Sequence, residues 1–309
     1  MKKLYNIYSK KKLKLRMLKN SENRITVSFY KYFNIINPLE FRNKIYIIFY
    51  KLRIFGRIYI STEGINAQIS VFSKLYNFFK KKLYTINENL NNIRLNKSLN
   101  KNKSFWFLQV KVRKKIISDG LLENNINFQN TGIYVKPKEV NSMLNDKNTI
   151  FVDMRNDYEY VIGHFKNAIH IPGSKFRDQL KILVSFLENY RNKNIVMYCT
   201  GGIRCEKATA LLKHYSFKNV YHIEGGILNY VYQAKKNNFL IYFEGKIFVF
   251  DYRMTENISH HVLSHCKICG TFCDNYINCK NDYCHDLFIQ CRFCYNKYQG
   301  YCSETCQKL

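Results

Sequence analysis

The sequence predicts an α/β protein in three parts: a βαββαβ domain, a parallel α/β domain with helices on both faces, and a small cysteine-rich C-terminal region. Three observations lead there. Strand and helix patterns follow one another as βαββαβ between Thr26 and Val112. From Ile150 onward short apolar strands alternate with helical stretches, which implies a parallel sheet. Nine of the eleven cysteines fall between Cys266 and Cys306.

Residues 1–24 form a basic N-terminal arm, with Lys10-Lys11-Lys12 and Arg16 either on a helix or on a frayed tail. The first domain covers 25–118. Thr26 to Phe33 alternates like a strand, and Pro38 opens an amphipathic helix to about Leu52. Gly56–Ile60 and Ile65–Val71 are strands joined by the turn Ser61-Thr62-Glu63-Gly64. Ser73–Leu83 is helical and Phe105–Val112 is the expected fourth strand, which completes a ferredoxin-like domain.

Residues 119–145 are expected to connect this unit to a second domain over 146–240. Its strands are Ile150–Met154, Ala168–Ile171, Asn194–Tyr198 and Val220–Ile223; its helices lie around Asp157–Ile162, Lys175–Tyr190 and Ile203–Tyr215, with a last one after Gly225-Gly226. Residues 241–259 read as a hairpin turning at Glu244-Gly245, and the cysteine-rich tail takes 260–309.

The net charge of +28 is unevenly spread. Residues 1–118 hold 27 Lys and Arg against 4 Asp and Glu, a net of +23, whereas 119–259 carry +4 and 260–309 carry +1. Compositional drift toward Lys, Asn and Ile would spread more evenly, so the basic first third points to a polyanion, nucleic acid first. No apolar run is long enough to span a bilayer, and no secretory leader is legible. A cytoplasmic protein without a membrane partner is expected, with reduced thiols.

Cys199 is the chemical centre of the reading. Ile195-Val196-Met197-Tyr198 is a strand and Ile203 begins a helix, so Cys199-Thr200-Gly201-Gly202-Ile203-Arg204 is a loop at the carboxyl edge of a parallel sheet. Two glycines let backbone N–H groups turn inward, a helix N-terminus lies behind them, and Arg204 adds a positive charge. The expected result is a thiolate with a pKa a unit or two below ~8.5. The plainer alternative is a buried cysteine ending a strand.

This loop resembles the rhodanese active-site loop, in which the cysteine carries sulfur as a persulfide. The likeness covers about residues 146–240. It includes Phe151-Val152-Asp153-Met154-Arg155, Gly163-His164-Phe165, Ala168-Ile169-His170-Ile171-Pro172 and His222-Ile223-Glu224-Gly225-Gly226. Cysteine phosphatases use Cys-x5-Arg; the shorter Cys-x4-Arg cradle here looks too small for a phosphate ester.

The likeness extends over about residues 20–306 to the tRNA uridine-34 hydroxylases, of enterobacterial type. It is carried by Cys199 through Lys207, Ser28-Phe29-Tyr30-Lys31-Tyr32-Phe33, Glu63-Gly64-Ile65-Asn66-Ala67-Gln68-Ile69, Phe248-Val249-Phe250-Asp251 and the Cys279 to Cys291 segment. What the resemblance implies is a ferredoxin-like domain joined to a rhodanese-like domain. It also implies 5-hydroxylation of wobble uridine 34 with dioxygen as substrate, tRNA held by its anticodon arm, an electron donor, and Cys199 as catalytic residue. The loop alone is equally compatible with sulfur transfer from a Cys199 persulfide to tRNA or a small thiol. A noncatalytic RNA-binding protein is a third reading, against which the intact Cys–Gly–Gly–Arg set speaks.

Cys205, Asp153 and Arg155 are accessory candidates: Cys205 as a resolving thiol or a packed residue, Asp153 and Arg155 as a brace or a plain ion pair. Cys266-x2-Cys269 and Cys291-x2-Cys294 have the spacing of one tetrahedral zinc site, and the remaining tail cysteines suffice for a second. The alternative is a tail of reduced thiols. Trp106 is a base-stacking candidate that at strand spacing reads as core, and His164 and His222 read as structural.

Overall fold

The computed structural model describes residues 4, 8–18, 22–98, 104–121 and 126–308. The basic arm forms helix α1, Lys10–Leu18. The first domain then runs β1 (Arg24–Tyr32), α2 (Pro38–Lys51), β2 (Phe55–Ser61), β3 (Gly64–Phe72), α3 (Tyr76–Tyr84), β4 (Asn96–Lys97) and β5 (Leu108–Val112). Helix α2 starts where Asn37 precedes Pro38: the Asn37 side chain accepts from the Glu40 N–H at 3.1 Å.

The sheet order is β4-β1-β3-β2-β5. Its first four strands make the ferredoxin-like arrangement, but the closing strand is Asn96–Lys97, antiparallel to β1, and not Phe105–Val112. Leu108–Val112 is a fifth strand on the opposite edge, parallel to β2. The closing strand is two polar residues, so no apolar alternation marks it. The stretch with alternation, Leu108 and Val110 inward, crosses to the other edge.

Alternation along this sheet separates two faces. Val27, Phe29, Ile58, Ala67 and Ile69 pack against Ile45, Phe49, Phe79 and Leu83 of the helices. The opposite face carries Ser28, Tyr30, Arg57, Tyr59, Asn66 and Gln68, aligned in rows by the registers Ser28–Gln68–Arg57 and Tyr30–Asn66–Tyr59. Among the described residues the helices in this domain's core pack on the other face, and second-domain residues meet this one across a cavity.

The second domain has five parallel strands in the order β6-β11-β10-β7-β9. These are β6 (Ile133–Val135), β7 (Thr149–Asp153), β9 (Ile169–His170), β10 (Asn194–Tyr198) and β11 (Val220–Ile223). Helices α6 (Phe176–Phe186) and α7 (Ile203–His214) pack on one face, α4 (Pro137–Leu144) and α8 (Gly226–Asn237) on the other. Strand β6 and α4 lie within the stretch expected to be a connector; three residues of strand with two exposed give too short a pattern to read.

Residues 243–257 do form an antiparallel hairpin, but it does not turn at Glu244-Gly245. Both residues lie inside β12 (Phe243–Phe248), which pairs with β8 (Gly163–Phe165) on one side and β13 (Thr255–Asn257) on the other. Gly245 has φ +80°, and a Cβ there would sit 2.2 Å from the Ile162 carbonyl oxygen. It is glycine because two backbones cross, which a sequence cannot distinguish from a turn. The tail forms the ribbon β14 (Tyr276–Asn278) and β15 (Leu287–Ile289), then α9 (Arg292–Tyr298) and α10 (Glu304–Lys308).

A buried ionic cluster docks the two domains. Lys207 of α7 is 1% exposed; its ammonium meets Glu63 at 2.6 Å and the fully buried Asp119. Glu63 sits in the β2–β3 turn and its other oxygen accepts the Ile116 N–H at 2.7 Å. Burial alone would raise Asp119, but hydrogen bonds from Lys115 and Lys207 bring it below the usual carboxylate range. Phe128 and Tyr32 lie under the Lys207 ammonium at 4.9 and 5.5 Å. Replacing Lys207 by Met strands two carboxylates. It is expected to cost about 3–5 kcal/mol in urea unfolding, and a loss under ~1 kcal/mol would contradict this role.

Candidate active site

Strand β10 ends at Tyr198, and the next four residues bend into α7. Gly202 takes φ +100° as the helix N-cap. Its N–H donates to the Cys199 Sγ at 3.1 Å. Gly226 presses on the loop from α8: a Cβ there would fall 2.4 Å from the Cys199 carbonyl oxygen. The loop is thus pinned between two helix N-termini, as its glycines suggest.

Cys199 is 1% exposed yet lines a cavity of about 580 Å³ between the domains. Burial pushes its thiol up. The Cys205 S–H hydrogen bond, the Arg204 charge and the N–H groups of Arg204 and Gly202 outweigh it and bring it down to about 5. The shift is larger than the sequence reading expects because Cys205, itself fully buried, is the donor that spacing did not reveal. Burial and the neighbouring thiolate push Cys205 well above its ordinary value, so it keeps its proton.

Arg204 does not face the thiolate alone. It makes a two-pronged bridge to Glu159 at 2.6 and 2.8 Å. The Thr200 hydroxyl also donates to Glu159, at 3.1 Å. Glu159 is fully buried at the third position of the short helix α5 (Asp157–Tyr160), where its carboxylate also accepts the Asn156 N–H at 3.0 Å. Sequence reasoning missed Glu159; the one available signal, Asn156-x-x-Glu159, reads only as a capping box. Asp153 and Arg155 form a fully buried pair beneath the loop, and Arg155 also donates to the Gly163 carbonyl. They do not line the cavity. The loop residues Thr200, Gly201, Ile203 and Arg204 do.

The cavity roof is the polar sheet face of the first domain: Ser28, Tyr30, Tyr59, Asn66 and Gln68. Sequence reasoning missed it as well, although its signal was the polar member of each alternating pair. Arg57, Arg113, Lys175 and Arg177 also line the cavity and form no salt bridge among the described residues. Tyr30 and Tyr134 donate to Glu206 at 2.7 and 2.8 Å, and Tyr32 donates to the Ile203 carbonyl at 3.3 Å, so roof and loop are bonded together. Trp106 packs against Tyr252 with centroids 4.9 Å apart and lies outside the cavity. His222 is buried and held to about 4 by that burial; His164 stacks on Tyr160.

The tail brings its cysteines into two groups of four: Cys266, Cys269, Cys291 and Cys294, and Cys279, Cys284, Cys302 and Cys306. Within each group all sulfurs lie within 4.8 Å of one another. The separations of 3.6 Å for Cys269–Cys291, 3.8 Å for Cys284–Cys302 and 3.5 Å for Cys302–Cys306 match the edge of a tetrahedron. With Zn–S near 2.3 Å that edge is about 3.8 Å, whereas a disulfide needs about 2.05 Å. Both groups therefore have geometry that can hold a metal; Cys273 belongs to neither.

Three family models match: the UPF0176 acylphosphatase like domain over 24–116, the rhodanese-like domain over 136–233, and the rhodanase C-terminal region over 244–307. The chain is 56% identical over 305 residues to a protein of Buchnera aphidicola subsp. Acyrthosiphon pisum (strain APS) named tRNA uridine(34) hydroxylase, covering 99% of this chain and 94% of that one. Relatives of the same name from Photorhabdus laumondii and Pectobacterium atrosepticum are each 52% identical, covering 99% and 98% of this chain and 87% and 86% of theirs.

A thiolate held in this way gives a specific pH profile. Alkylation of Cys199 by iodoacetamide, followed by peptide mass spectrometry, is expected to be flat from about pH 7 to 8.5 and half-maximal near about pH 5. Cys205→Ala removes the S–H donor and should move the midpoint upward. A wild-type midpoint at ~8.5 would contradict the assignment.

Proposed function

This chain belongs to the tRNA uridine(34) hydroxylase family, and we propose that it hydroxylates C5 of uridine 34 in tRNA with Cys199 as its catalytic residue. The observation that carries the reading is the placement of Cys199 in a cavity whose roof sets the hydrogen-bonding side chains Ser28, Tyr30, Asn66 and Gln68 beside Arg57, with Arg113, Lys175 and Arg177 also lining it and none of these cations in a salt bridge among the described residues. Amide and hydroxyl groups suit the edge of a splayed uracil, and the Arg and Lys side chains of the lining suit the flanking phosphates. The basic arm and first domain supply the wider attraction to the anticodon arm. A tRNA substrate and cysteines grouped for metal and not for disulfides support a cytoplasmic enzyme. Among the described residues no helix is long and apolar enough to cross a membrane. Sulfur transfer is not favoured, since the relatives spanning the chain are named hydroxylases.

The chain's own contribution begins with the thiolate. Addition of the Cys199 sulfur to C6 of uracil gives an enolate delocalised over C5 and O4, and its electron-rich C5 is the atom that reacts with dioxygen. One oxygen atom stays on C5; the other leaves as water with two electrons and two protons from an external donor. Cys205 holds the thiolate by its S–H until the base arrives. Glu159 orients Arg204 and Thr200 so that the loop does not collapse onto the sulfur. Loss of the C5 proton to solvent together with departure of the thiolate from C6 restores the C5=C6 double bond.

The two four-cysteine groups fit zinc, held by Cys266, Cys269, Cys291 and Cys294 and by Cys279, Cys284, Cys302 and Cys306. Zinc there would cross-link a tail too short to build its own core.

Cys199→Ser is expected to abolish 5-hydroxyuridine-derived nucleosides in tRNA from complemented cells. The affinity for tRNA should change less than about threefold, because phosphate contacts lie elsewhere. Retained modification would sink the reading. Protein purified without chelators should carry two zinc ions per chain. Cys269→Ser should leave about one and lower the thermal midpoint; unchanged metal content would remove the tail assignment.

A further inference from the structure

A second cavity, of about 620 Å³, adjoins the Cys199 loop. Tyr30, Asn96, Gly201 and Leu228 line both cavities, so only a thin wall separates them. The walls of the second come from α3 and residues 91–97 of the first domain and from Tyr134 and α8 of the second.

Two kinds of group converge there. Tyr76, Tyr84 and Tyr232 present partly exposed rings. All three line this one cavity, Tyr76 and Tyr84 from the two ends of α3 and Tyr232 from α8. The Lys97 ammonium lies 4.1 Å from the Tyr76 ring centroid and that of Lys80 5.5 Å from the Tyr84 ring centroid. The cavity's carboxylates are already engaged: Glu206 by Tyr30 and Tyr134, Glu224 by Arg94. Lys80 and Lys97 form no salt bridge among the described residues.

Ring faces beside unneutralised ammonium groups are what a single-stranded nucleic acid meets in a binding groove: bases stack and phosphates find the lysines. A small inorganic anion would not call for three ring faces, and an apolar ligand would not be met by lysines. A base drawn out of its stack leaves its neighbour without a partner, and the loss must be made good on the protein. We propose that the second cavity seats the nucleotide adjoining the target uridine in the same strand, its base on the Tyr76–Tyr84–Tyr232 cluster and its phosphate at Lys80 and Lys97. The inference rests on the RNA-modifying reading of the Cys199 cavity, which supplies the strand.

The test uses full-length Cys199→Ser protein, so binding is read apart from chemistry. An anticodon stem–loop RNA carries 4-thiouridine at either neighbour of the target. Irradiation is expected to cross-link one neighbour to residues 76–97 or to Tyr232. Tyr232→Ala should weaken stem–loop binding about tenfold and Lys80→Ala a few-fold, more at low salt than at high. Tyr232→Phe should bind normally, which excludes a folding defect. Unchanged affinity in both Tyr232→Ala and Lys80→Ala, or cross-links from neither neighbour to this cavity, overturns the inference even if uridine 34 is hydroxylated. Binding and cross-linking as expected, with no hydroxylation by the wild-type chain, would overturn the proposed reaction and leave the nucleotide site standing.

Discussion

The structure depends on one buried cation. Lys207 extends from the helix that begins at the Cys199 loop, and its two carboxylate partners belong to other segments: Glu63 to a turn of the first domain, Asp119 to the chain between the domains. A buried ion pair adds little net stability compared with a well-packed apolar contact, because desolvation offsets most of the attraction. What it does provide is position. Apolar surfaces can slide by an ångström at small cost, whereas a desolvated ammonium tolerates few arrangements of two carboxylates. Since Lys207 lies one helical turn beyond Arg204, fixing it fixes the N-terminus of α7, and with it the height of the polar sheet face above the sulfur.

The same economy of charge holds within the loop. A bare arginine beside the sulfur would draw the thiolate into a tight ion pair and weaken it as a nucleophile. Glu159 limits this by taking both prongs of Arg204, so the Arg204 charge acts on the thiolate from a distance while the Cys205 S–H and backbone N–H groups are its hydrogen-bond donors. Neutral donors lower the pKa without cancelling the charge. The cost is a fully buried carboxylate, and it is met by four hydrogen bonds, from Asn156, Thr200 and the two prongs of Arg204.

Legibility from sequence followed how local each signal was. Strands Asn194–Tyr198 and Val220–Ile223 and the Cys199 loop were readable because an apolar run, two glycines and a helix start sit side by side. The CxxC pairs were readable for the same reason, and they do come together. The closing strand Asn96–Lys97 was not, because its two polar residues take strand form only by pairing with β1. Gly245 was misread because a backbone crossing and a turn call for the same residue. Glu159 and the roof residues were missed because their partners lie 41 or more positions away in sequence, and nothing local announces a long-range bond.

The uneven charge also finds its place. The excess of +23 in residues 1–118 suggests a first domain that grips a polyanion with a basic surface. In the Cys199 cavity, however, its sheet presents Ser28, Asn66 and Gln68, with Arg57 and Arg113 set among them and Lys175 and Arg177 contributed from the second domain. Had lysines roofed the cavity, they would have held a phosphate over the thiolate and kept a base away. Neutral amides carry directional donors and acceptors and no net field, so they favour a planar heterocycle over an anion. The distribution therefore assigns two tasks within one polypeptide: cations draw and align a charged backbone, and the amides and hydroxyls set among them in the roof select what reaches the sulfur.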